Sequence, residues 1–62
     1  MTLDEKMAEL EAAKTRYLRA VDAGTAAAAR HEKDASAWVS ILAEINQSHD
    51  VLSDAVRRLT VQ

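Results

Sequence analysis

Cysteine and proline are absent from these 62 residues, glycine occurs once, and Tyr17 and Trp38 are the sole aromatics. Without thiols there is neither a disulfide framework nor a thiolate metal site. His31 and His49 lie eighteen residues apart with no second ligand type at metal spacing, so no structural metal and no cofactor is expected. The shortage of Gly and Pro removes the turn chemistry that an all-β or α/β chain needs, and no Gly-rich loop is present to cradle a phosphate. A net charge of −2 and a pI near 5.5 give no basic footprint for nucleic acid or an anionic membrane. No apolar run approaches the roughly 18 residues of a membrane span, and Thr2-Leu3-Asp4-Glu5 is the opposite of a signal peptide's basic n-region. These absences lead to the expectation of a cytoplasmic protein with no membrane partner.

What is present is an uninterrupted heptad. Leu3, Met7, Leu10, Lys14, Tyr17, Val21, Gly24, Ala28, His31, Ala35, Trp38, Leu42, Ile45, His49, Leu52, Val56 and Leu59 alternate steps of four and three. Apart from Met1, 11 of the 16 apolar residues larger than Ala fall on this stripe, the pattern by which one α-helix lies along another. Thirteen alanines supply strong helix formers. The segment Thr2-Leu3-Asp4-Glu5 reads as an N-terminal cap, with acids ahead of Lys14, Arg16 and Arg19 in the order that the helix dipole favours.

Three placements of the turn compete. Gly24 suits a left-handed C-terminal cap with Thr25 starting the next helix. Arg30-His31-Glu32-Lys33-Asp34 suits a connection with Asp34 or Ser36 capping helix two. With no turn, the chain is one rod of about 57 residues, roughly 85 Å long. The charged stretch yields helices of nearly equal length, so the expectation is a single domain over 1–62: a helix at about 3–30, a connection at about 31–35 and a helix at about 36–60. Folding there brings Leu10 near Val56, Val21 near Ile45, Gly24 and Ala28 opposite Leu42 and Trp38, Lys14 near Asp50, and Tyr17 near His49.

Ala13, Ala20, Ala27, Ile41 and Ala55 widen the stripe on one flank and Leu18 and Val39 on the other, so each helix has two neighbours to satisfy. A 62-residue chain without disulfide or metal has little margin alone. The fold class expected is therefore all-α, a coiled-coil-like antiparallel hairpin that self-associates into a four-helix bundle, a homodimer or higher homo-oligomer. Candidate interface residues are Trp38, Ile41, Leu42, Ile45, His49, Leu52, Val56 and Leu59, with Lys14, Tyr17, His49 and Asp50 as a polar seam. At His49 a titrating imidazole would make assembly sensitive to pH near about 6 to 7, whereas a His bonded to Tyr17 or water would simply set register.

Catalysis is not expected. Consecutive helical residues point about 100 degrees apart, so Ser48-His49-Asp50 cannot form the relay that nucleophile activation needs. Glu44 and His49 are five apart, which misses the i, i+3 spacing of a di-iron bundle motif. The function expected is a non-enzymatic protein-binding module, an oligomerising adaptor or small inhibitor with a protein partner. Convergence of Arg16, Arg19, Arg57 and Arg58 on one bundle end would favour an RNA-binding hairpin instead, although acidic residues outnumber basic ones and interleaved aromatics are missing.

The ends of the chain resemble the small phage head-tail joining proteins. Leu10 to Ala13 running on to Gly24 matches their first helix, and Ser48, Leu52, Ala55, Val56 and Leu59 match their last. The resemblance implies a virion-connector subunit as an alternative role, with a β-hairpin between the helices, where this sequence has Ala26–Ala29 and a charged stretch. Length and architecture are also similar to the plasmid copy-control RNA-binding hairpin, without shared residues.

Overall fold

A computed structural model describes residues 2–60 as two helices, α1 (Leu3–Ala29) and α2 (Ala35–Thr60), packed against each other as a hairpin. The turn lies in the charged stretch, and no strand occurs among the described residues, so the middle of the chain lacks the β-hairpin of the head-tail joining proteins. The envelope is 45 × 14 × 13 Å.

Each boundary has a local cause. Thr2, in an extended conformation, accepts a hydrogen bond at its hydroxyl from the Glu5 amide (3.1 Å), and Asp4 and Glu5 stand in the first turn of α1. Helix propensity does not end α1, because Ala26–Ala29 are among the best formers. The stop is a Schellman motif: the His31 amide donates to the Ala28 carbonyl (3.1 Å) and the Glu32 amide to that of Ala27 (2.9 Å). His31 takes the left-handed position this motif requires, at φ 53°, which an L side chain disfavours. Asp34 opens α2, its carboxylate accepting from the Ser36 amide (2.9 Å) while its carbonyl takes the first helical bond, from Trp38. The Glu32 carboxylate ties the loop together, accepting from the Asp34 amide (3.3 Å) and the Arg30 guanidinium (3.1 Å). Those two bonds, the amide first, hold its pKa below the ordinary value.

Gly24 lies inside α1 with a negative φ, so it is not a cap. Its role is close approach: a Cβ built there would sit 3.3 Å from the Ile45 Cδ1 methyl and 3.5 Å from Ile41 Cγ2. Gly24 therefore faces Ile45 and Ile41, where the sequence pattern had placed Leu42 and Trp38.

The interior is made of small residues. Ala13, Ala20 and Ala27 on α1 meet Ser48 and Ala55 on α2, each set spaced by seven, and Ala27 and Ser48 have no exposed surface at all. Among the described residues Ser48 is the largest side chain to be fully buried. Its hydroxyl donates back to the Glu44 carbonyl (2.6 Å), with the Ile45 carbonyl at 3.1 Å, so it is satisfied within its own helix. The helices thus close on the alanine flank of the stripe, with Leu10, Tyr17, Gly24, Trp38, Ile45, Leu52 and Leu59 half-buried beside it. The other half of the stripe remains outside.

Candidate interaction surface

Closing on the alanine row gives the hairpin two unlike sides. A residue one heptad row away from the seam on either helix projects sideways, and in an antiparallel pair the matching rows of the two helices emerge on the same side. One side carries Met7, Lys14, Val21 and Ala28 from α1 with Leu42, His49 and Val56 from α2. The opposite side carries Glu9, Arg16 and Ala23 with Glu44, Val51 and Arg58.

Contacts across the seam confirm the division. On the first side, the rings of Tyr17 and His49 meet edge to face, with centroids 5.8 Å apart and planes at 60°. On the second, Arg16 binds Glu44 through two parallel N–H···O bonds of 2.8 and 3.0 Å, and Arg58 reaches Glu9 at 3.3 Å. The hydrogen bond from Arg16 holds the Glu44 carboxyl below its ordinary pKa, and the same bond raises that of Arg16. Two shallow open grooves of about 330 and 660 Å³ run along this charged side over Ala12, Ala13 and Ala20.

The first side is predominantly apolar and faces solvent. Met7, Leu42 and Val56 are 45, 56 and 45% exposed, Leu18 and Val39 on its margins 51 and 67%, and Leu3 at the open end 66%, whereas among the described residues the charged side exposes Val51 alone of the large apolar side chains, at 41%. Scattered apolar side chains are ordinary on a protein surface, whereas here they are concentrated in one row along two adjacent helices.

Of the interface residues expected from sequence, Leu42, His49 and Val56 stand on the outer row, and Ile45, Leu52 and Leu59 are half-buried between that row and the seam. Ile41 is turned into the seam beside Gly24. Trp38 sits at the closed end, where its indole N–H donates to the Glu32 carbonyl (2.8 Å) and pins the loop to α2. The expected polar seam is divided. Tyr17 and His49 meet, but Lys14 pairs with Glu11 on its own helix at 3.3 Å, and Asp50 points into solvent with its Oδ1 3.7 Å from His49 Nδ1. Ser48, His49 and Asp50 project in three directions, with the Ser48 hydroxyl spent on backbone carbonyls.

The arginines are similarly distributed. Arg16 and Arg58 are bound to carboxylates of the opposite helix, and Arg57 to Asp54. Asp54 therefore pairs within its own helix at i, i+3, while Arg58 crosses to α1. The interface expected from sequence lay on α2 alone, whereas Leu3, Met7, Leu18 and Val21 of α1 also carry apolar surface. The signal was there, since all but Leu18 lie on the heptad stripe.

Comparison with protein-family models, with curated proteins and with solved structures finds no match to this chain. Among the described residues no helix is long and apolar enough to cross a membrane.

Proposed function

We propose that this chain is a non-enzymatic protein–protein interaction module, a small oligomerising adaptor or inhibitor that lays its apolar side against another protein. One observation carries the reading. Among the described residues the hairpin buries only alanines and a serine fully, while Met7, Leu42 and Val56 stand out from one side. Burying a Leu, Met or Val side chain is worth about 1.5–3 kcal/mol, so a substantial share of the hydrophobic free energy available to this sequence is unrealised in the lone hairpin. A partner surface is the physically natural way to realise it. Helix on helix is the form the heptad suits.

The test is recovery of companions from the native source by a tagged chain, beside the same chain carrying Leu42→Glu and Val56→Glu. Recovery of protein by the first and not by the second, whether a further copy of this chain or a different protein, is the expected result. Equal recovery by both, or none by either, overturns the reading.

The same unrealised burial suits a structural subunit completed by its neighbours in a larger particle. Circular dichroism of the purified chain separates the two: high, cooperatively melting helicity belongs to an autonomous module, and weak helicity to the subunit. The RNA-binding reading is less favoured, because Arg16, Arg57 and Arg58 are each neutralised by a carboxylate.

A further inference from the structure

We infer that the occupant of the apolar side is a second copy of this chain, related by a two-fold axis that crosses the side at the level of Tyr17 and His49. The open end of each hairpin then lies over the closed end of the other. This rests on the reading that the apolar side is covered by protein.

The argument is self-complementarity. An interface across a two-fold must match itself, so whatever stands a given distance above the axis meets what stands the same distance below. The contact between Tyr17 and His49 puts them at one level, and that level is near the middle of both helices. Counting outward from Tyr17 along α1, Leu10 matches Gly24, and in the neighbouring row Met7 matches Ala28 and Lys14 matches Val21. Counting outward from His49 along α2, Leu42 matches Val56, and in the neighbouring row Ile45 matches Leu52. No second lysine or acid falls opposite Lys14 in these rows, and its aliphatic stem can lie along Val21 with the ammonium at the rim. The seven-residue repeat makes the positions on both helices symmetric about this level, so the test of self-complementarity is which side chains occupy them.

Size follows the same symmetry. On α1 the large Met7 of one copy faces Ala28 of the other, and on α2 side chains of similar volume face each other. Large against small and medium against medium is how facing layers fill space without voids. Leu18, exposed on the margin of the side, lies within one residue of the axis and so meets its own counterpart. Covering the whole 45 by 14 Å face would bury about 600 Å² on each copy, or about 1,200 Å² in all, the lower end of the range of stable specific interfaces.

The chain contains no cysteine, so single thiols can be placed at will. Two preparations, one with Leu42→Cys and the other with Val56→Cys, are treated with a short bismaleimide separately and after mixing. The expected result is a strong product of twice the 6.8 kDa chain mass in the mixture, little in either alone, and strong self-cross-linking of Leu18→Cys. Sedimentation of the unmodified chain at micromolar concentration should give the doubled mass. A doubled mass without the mixed Leu42–Val56 product overturns the axis. A folded 6.8 kDa monomer overturns the second copy altogether. If that monomer still recovers a different protein through Leu42 and Val56, the interaction reading stands and only this inference fails.

Discussion

Replacing Gly24 by alanine should stabilise the hairpin, and the structure decides the sign. Gly in a helix interior costs about 0.8–1.0 kcal/mol relative to Ala, and this glycine occupies an ordinary helical conformation that alanine adopts without strain. The opposing term is steric. The new methyl would stand 3.3 Å from Ile45 Cδ1 and 3.5 Å from Ile41 Cγ2, the first slightly closer than comfortable. That neighbour is the end of a flexible side chain on a half-buried residue, and a few tenths of an ångström of torsional adjustment relieves it. Partial burial of the methyl then adds a fraction of the roughly 0.8 kcal/mol that a buried CH₂ contributes. The net is a gain of about 1 kcal/mol, or about 4–8 °C in Tm for a domain of this size. Melts of both chains by circular dichroism, at one fixed concentration because association shifts Tm, would measure it. A lower Tm for Gly24→Ala would refute the reasoning, showing that the helices need the bare backbone of Gly24 against Ile45.

Three further outcomes follow from the same geometry. His31→Gly should raise stability by roughly 0.5–1 kcal/mol in chemical denaturation, since the left-handed position costs an L residue more than glycine's extra freedom in the unfolded chain takes back. Trp38→Phe should lose about 1 kcal/mol by the same measurement, because the indole N–H bond to the Glu32 carbonyl disappears while most of the aromatic packing remains. The pH dependence has a definite sign: Glu32 and Glu44 have folded pKa values below the ordinary 4.5, so their contributions are complete above that pH and are lost as pH falls through the lower, folded values. Melts from pH 7 to pH 3 should therefore show a falling Tm below pH 4.5, shallower in Glu44→Gln, and a flat profile would contradict the assignment of both bonds.

The helices and their connection were legible because their causes are local. Thr2 caps Glu5 over three residues, Asp34 caps Ser36 over two, and the alanine-rich segments have helix propensity whatever they touch. Even so, Gly24 and the charged stretch were both credible turn sites. The Glu32 carboxylate, bonded to Arg30 and Asp34 within the loop, belongs to the detail that only coordinates supply.

By itself the sequence determined that the chain would be helical along a seven-residue repeat, and, with the turn placed in the charged stretch, that Tyr17 would come level with His49. Only the tertiary structure decided which row of that repeat closes the hairpin. Rows of a heptad lie about 50° apart around the helix, so a modest rotation exchanges an interior of Leu and Met for one of Ala and Ser. That rotation is a property of the pair, settled by how closely Ala13, Ala20 and Ala27 let Ser48 and Ala55 approach. It also reassigned the charges, giving Lys14 to Glu11 and Arg58 to Glu9, and left Met7, Leu42 and Val56 facing outward. Periodicity in one chain specifies a stripe, whereas the side from which the stripe is covered depends on surfaces brought together only after the chain has folded.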